Sequence, residues 1–361
     1  KKKTENTKMM TSKERVRAAI SFQKPDRVPA AFEAVGTVQK KLMDHYGFSN
    51  YDQLLEKFQI DIVSVAPKYI GPSLKEYTNE KGQLVRQSYW GFEETFHKTD
   101  IDTYTMTSYF PFHGAETVED VLALPFPDPD WFDYDSVKEQ CERYPDKAII
   151  TGHEGPFQIV TFLMDMPEFF MLMMDDPEAA KCLLNRMVDF EMKYYRRLLE
   201  AGQGKIDIIR PHDDYGTQIS LLFSVDMWRE FFRENTKRLT ELTHKYNAFY
   251  QQHSCGAVRP IIPELIDCGV DVLEPLQKVE GLEPQSLYQE FVGKIAFHGG
   301  IDTQNLLPNG MPEQVRKEVA HYINSLHHDG GYILMASQNF EGDVPIENIE
   351  AVYSADRRPS V

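Results

Sequence analysis

Cysteine is scarce in this chain. Cys141, Cys182, Cys255 and Cys268 are the four among 361 residues, at irregular spacing. That is too few for a disulfide scaffold in so long a chain and points to a reducing cytoplasm. Long apolar runs are also missing. The longest suspect, around Phe169 to Met174, is short and flanked by acids, so a membrane span is not expected. Positive charge is under-supplied, with 39 Lys plus Arg against 56 Asp plus Glu, a net charge of −17. A surface that acidic argues against nucleic acid or anionic membrane as partner and leaves a small-molecule substrate. No Gly-x-Gly-x-x-Gly turn follows the first strand-like segment, which argues against a dinucleotide-binding doubly wound sheet. Residues 1–10 are polar and basic at first and read as a flexible start, not as a signal peptide.

What the chain does have is alternation. Short apolar runs occur at Val28 to Val35, Ile60 to Ala66, Ala148 to Gly152, Ile206 to Ile209, Asn247 to Gln252, Val270 to Leu273, Lys294 to His298 and Gly331 to Met335. Helical patterns separate them. Eight strands each followed by a helix predict an α/β fold, a (β/α)8 TIM barrel, with residues 11–361 as one domain. After the second strand, Gly71 to Phe112 changes to alternating polar and aromatic residues around Tyr89-Trp90-Gly91-Phe92. That stretch predicts an inserted β-hairpin region. Thr11-Ser12-Lys13-Glu14 before Val16, Ala19 and Ile20 predicts a capped helix.

A barrel builds its site from the loops after its strands. Those positions hold Glu33, Lys68, His153, Glu154, His212, Asp213, Asp214, His253, Cys255, Glu274, Gln277, His298, Asp302 and Gln338. His253 and Cys255 stand out. Both are soft metal ligands, and i, i+2 spacing in extended chain turns them to one side. As a metal pair they need a third ligand. Glu154, Asp214, Glu274 and His298 are the candidates, since Cys268 lies at the opposite face of the barrel. Glu33, His153, His212, Tyr215, Gln218, Gln277, Asp302 and Gln338 are candidate substrate-binding residues. Asp214, Glu154 and His298 are candidate catalytic ones. Adjacent carboxylates leave an extended chain on opposite sides, so Asp214 is expected to face the cavity and Asp213 to be structural.

Several stretches resemble the uroporphyrinogen decarboxylase superfamily. They include Pro25-Asp26-Arg27-Val28-Pro29, Asp213-Asp214-Tyr215-Gly216-Thr217-Gln218, His253-Ser254-Cys255-Gly256 and His298-Gly299-Gly300-Ile301-Asp302. The order holds from about Thr11 to the end. The resemblance implies the (β/α)8 barrel and one of two chemistries. The decarboxylases need no cofactor and carry an Arg-rich stretch after the first strand. Here that stretch is Ala30-Ala31-Phe32-Glu33-Ala34-Val35-Gly36, without Arg. The methylcobamide:thiol methyltransferases hold zinc by His-x-Cys and a later Cys, and take a methyl group from a corrinoid on a partner protein. His253 and Cys255 match the first two ligands. The later Cys would fall near Ala336-Ser337-Gln338, where there is none. The resemblance therefore implies a methyltransferase using zinc and a corrinoid protein. The alternatives are a metal-free decarboxylase or lyase of a carboxylated small molecule such as a tetrapyrrole, with Lys68, Arg210 and Arg259 as carboxylate partners, and a non-catalytic barrel that binds a ligand or a corrinoid protein. The oligomeric state stays open.

Overall fold

The computed structural model describes residues 9–358. The expected flexible start falls largely on residues 1–8, outside the described residues. Seven parallel strands form one curled sheet in chain order: β1 (Ile62–Ser64), β2 (Ala148–Thr151), β3 (Ile206–Ile209), β4 (Phe249–His253), β5 (Val272–Glu274), β6 (Ala296–His298) and β7 (Tyr332–Ile333). Each pairs with the next, as in Gln251 opposite Val272 and His253 opposite Glu274. All residues of β2, β3, β5 and β6 are buried. A parallel sheet is covered on both faces, so its strands read as continuous apolar runs rather than alternating ones.

The expected first strand, Val28 to Val35, is not a regular strand. It touches its neighbours through isolated bridges, Ala30 with Leu334 and Ala34 with Phe340. Pro29 lacks the N–H that a ladder needs there. Even so, the segment bonds to both edges of the sheet. Ala31 N–H donates to the Leu334 carbonyl, and Asp61 N–H donates to the Ala30 carbonyl.

The barrel interior below the mouth is apolar. Ile62, Ala148, Ile150, Ile208, Val272, Ala296 and Ile333 pack there with Val16 and Ile20. The last two come from the helix Ser12–Ile20, whose Thr11 and Glu14 form a reciprocal capping box. That helix plugs the bottom. Beside it, Asp61 is fully buried and accepts from Ser12, from Arg15, twice from Arg27 and from the Ala30 N–H, at 2.7–2.9 Å. Here the carboxylate's desolvation is offset by five donors.

The long helical region expected from Phe157 to Ala201 is three helices, Pro156–Leu163, Met166–Asp175 and Pro177–Gly202. Pro167 and Pro177 stand in the first turns of the second and third, where proline is tolerated. Between β1 and β2 the chain leaves the barrel and forms a four-stranded antiparallel sheet from Glu76–Thr78, Leu84–Gln87, Glu93–Lys98 and Thr103–Tyr109. Its tip meets the mouth loops. Thr37 Oγ1 donates to Asp102, and Tyr104 Oη donates to Glu341 at 2.9 Å. No single described helix is long and apolar enough to cross a membrane.

Candidate functional site

β4 ends at His253, and the chain then turns at Gly256, whose φ is +87°. That turn is packed tightly against the loop after β3. A Cβ on Gly256 would lie 2.5 Å from the Gly216 backbone, and one on Gly216 would lie 2.7 Å from the Cys255 carbonyl. Only glycine at both places lets the two loops touch. The contact brings Asp214 to His253 and Cys255.

Three ligand-type atoms converge there. One atom each from Asp214, His253 and Cys255 lies within 4.8 Å of the others. His253 Nε2 is 3.5 Å from Asp214 Oδ1 and 3.5 Å from Cys255 Sγ. Asp214 Oδ1 accepts from the Cys255 N–H at 2.8 Å. On the other side of the ring, His253 Nδ1 meets Glu274 Oε2 at 2.8 Å, and Arg210 stands 3.7 Å from the same oxygen. Arg210 also donates to Glu33 at 2.5 Å. With Nδ1 tied to Glu274, a neutral His253 turns its Nε2 lone pair toward Asp214 and Cys255, as metal-binding histidines do. Gln338 closes the cluster, its amide nitrogen 2.6 Å from Cys255 Sγ.

The electrostatics follow from burial and partners. Burial opposes the charge on His253, but Glu274 and the hydrogen bonds to Asp214 and Cys255 outweigh it, so the ring's pKa is well above the ordinary value. Burial pushes the Cys255 thiol up, with His253 pulling it partly back. Burial also presses Asp214 upward, yet His253 and the Cys255 N–H bring it net below the usual carboxylate range. Glu274, fully enclosed, is held well down by His253 and Arg210 against its desolvation. The carboxylates of Asp214 and Glu274 are thus favoured in their charged form and the imidazole in its protonated one, while burial favours the neutral Cys255 thiol.

The other expected site residues divide. Glu33 is at the mouth through Arg210, and His212 is there too, its ring 4.8 Å from that of His253. Burial and then Arg210 lower His212 to about 3. Gln277 supports the turn from below, its Oε1 accepting from the Gly256 N–H at 2.5 Å. His298 is buried at the end of the strand next to that of Glu274, 3.3 Å from Gln251 Oε1, and burial lowers it to about 4. Glu154 is exposed on the rim, beside Tyr89. Gln218 is exposed on a turn.

Three candidates do not reach the cluster. Tyr215 is 2% exposed, packed on Phe157 and Phe232, with its hydroxyl donating to Asp213. The alternation that turns Asp214 inward turns Tyr215 the other way, with Asp213. His153 packs under the long helix against Tyr194 and Tyr195. Asp302 caps the turn before Leu306–Asn309, accepting from the Gln304 and Leu306 N–H groups. Asp213 accepts from the Gln158 N–H at the start of Pro156–Leu163. Burial raises its pKa to about 7. The role of Arg210 as the link between Glu33 and Glu274 went unread in the sequence. Its signal was a lone cation directly after a buried strand.

The donor set fits a metal ion of zinc type: one nitrogen, one sulfur and one carboxylate oxygen, with the imidazole oriented from behind. The family model for uroporphyrinogen decarboxylase (URO-D) matches residues 108–358. A "Methylcobamide:CoM methyltransferase MtaA" of Methanosarcina barkeri is 26% identical over 213 residues, 58% of each chain. A "Uroporphyrinogen decarboxylase" of Chlamydia abortus is 23% identical over 211 residues, 56% of this chain and 59% of that one. The aligned stretch thus spans under two thirds of these relatives. A solved structure of a "methyltransferase from Methanosarcina mazei" superposes with TM-score 0.66 and 18% identity over 95% of this chain and 97% of that one, so the two share the fold.

Proposed function

This chain belongs to the uroporphyrinogen decarboxylase (URO-D) family, and from that premise we propose that it is a methyltransferase that moves a methyl group between a corrinoid carrier and a thiol or other acceptor. The observation that carries this reading is the Asp214, His253 and Cys255 donor set at the barrel mouth. In this reading those three residues hold zinc. Bound there, the ion supplies Lewis acidity that lowers the pKa of an acceptor. Glu274 fixes the tautomer of His253, and Arg210 holds Glu274 ionised. Glu33 and His212 line the approach. Glu154 stands exposed at the rim, and in this reading it serves as the base for the incoming acceptor. The methyl donor in this reading is a methylated cobamide, as in the name of the Methanosarcina barkeri relative, presented by a partner protein.

The decarboxylase alternative has less support. A carboxylated substrate needs free cations at the mouth. Of the three expected cations, Arg210 is taken up by Glu33 and Glu274, and Arg259 by the Gly281 carbonyl and Glu290, which leaves Lys68, exposed in the short strand Lys68–Tyr69. The test is loss of the methyl group from free methylcobalamin, followed by corrinoid absorbance, in zinc-loaded protein supplied with 2-mercaptoethanol or phenol. Turnover in the native chain and none in His253→Ala is the expected result. No methyl loss, together with carbon dioxide release from a porphyrinogen, contradicts the proposal.

A further inference from the structure

We infer that Gln338 determines which acceptor atom the mouth takes, and that it selects oxygen over sulfur. This rests on the metal-site reading of Asp214, His253 and Cys255. Three observations lead there. First, the cluster has a single sulfur. Among the described residues, Cys268 bonds the Arg233 carbonyl and Cys141 is buried before β2, so neither joins Cys255. Second, the amide of Gln338 stands directly on that sulfur, 2.6 Å from Sγ, although 83 residues separate the two in sequence. Third, the remaining donors are the carboxylate of Asp214 and the imidazole of His253.

Each observation pushes the same way. An ion held by one oxygen, one nitrogen and one sulfur is a harder acid than one held by two sulfurs. An N–H donated to a thiolate draws electron density from the sulfur and hardens the ion further. An amide nitrogen carries two hydrogens, and Cys255 takes one. The other is a strong donor toward an oxygen at the open corner and a weak one toward sulfur. The group that fits this corner is a hydroxyl oxygen, such as that of a phenol, which gives up its proton as it takes the methyl group.

The experiment uses the full chain loaded with Co²⁺, whose absorption counts thiolate ligands, as native protein, Gln338→Cys, Gln338→Leu and His253→Ala. Each is titrated with phenol and with 2-mercaptoethanol, and zinc affinity is read by chelator competition. Native protein is expected to show the charge-transfer intensity of one thiolate. Gln338→Cys is expected to show that of two, to bind zinc about tenfold tighter or more, and to shift the phenol-to-thiol preference about tenfold toward thiol. Gln338→Leu should lose the phenol preference without gaining thiolate intensity. An unchanged preference in both Gln338 variants, with cobalt still lost in His253→Ala, overturns the role of Gln338 alone. Absence of cobalt from native protein, or equal cobalt in His253→Ala, overturns the metal-site reading and this inference with it.

Discussion

The two ends of the barrel use the same side chains to opposite effect. At the bottom, Asp61 is enclosed by five donors from Ser12, Arg15, Arg27 and Ala30. At the mouth, Asp214 accepts one backbone N–H and keeps a side chain 42% exposed. The bottom cluster is complete and has nothing left to bind. The mouth cluster points an oxygen, a nitrogen and a sulfur at one place without saturating them. A closed polar network fixes a structure, and an open one is where a ligand binds.

Breaking the bottom should cost folding. Asp61→Ala leaves Arg15 and Arg27 facing each other without their shared anion, and a buried network broken on one side loses about 3–5 kcal/mol. Urea unfolding should show that loss. Asp214→Ala should lower the midpoint little while removing bound metal. If both variants lose stability equally, the contrast between the two ends fails.

In the proposed metal site, His253→Ala and Cys255→Ser each remove a ligand. Zinc affinity should fall by more than about 100-fold, beyond the cost of losing an outer partner. Glu274→Gln keeps the shape behind Nδ1 but removes the charge. Its affinity loss should lie within about 10–100-fold, as for other residues that orient a metal-binding histidine. Chelator competition ranks the three variants, and a Glu274→Gln effect as large as that of His253→Ala would mean Glu274 is itself a ligand.

The smallest effect is a slope with pH. Burial holds Asp213 at about 7 in the folded chain, against an ordinary carboxylate in the unfolded one. Between those two values the folded state binds a proton that the unfolded state does not, so stability falls as pH rises from about 4 to about 7 and then levels. Asp213→Asn keeps an acceptor for the Gln158 N–H and should flatten that part of the melting profile. A slope unchanged in the variant would assign it to other groups, Glu191 first, which is fully buried beside Asp213 and raised by burial.

Much of the barrel was legible because parallel strands are buried on both faces. Ile206–Ile209 reads directly from its sequence. Val28 to Val35 is just as apolar, but Pro29 and pairing at only two isolated points leave it irregular. At the site, alternation was the useful rule. It turns Asp214 toward His253, and applied one residue further it would have turned Tyr215 into the core. The contacts of Arg210 and Gln338 were not legible. They join side chains from different strand ends, and nothing local records which of two loops will touch. The packing of Gly216 on Gly256 makes that choice.

The central claim is that the mouth, and not the bottom, is a ligand site built by Asp214, His253 and Cys255. Anomalous diffraction at the zinc edge, from crystals of the native chain grown with zinc, tests it most directly. The account predicts one strong peak about 2.0–2.3 Å from His253 Nε2, Cys255 Sγ and an Asp214 oxygen. No peak at saturating zinc, or one held without His253 and Cys255, would contradict it.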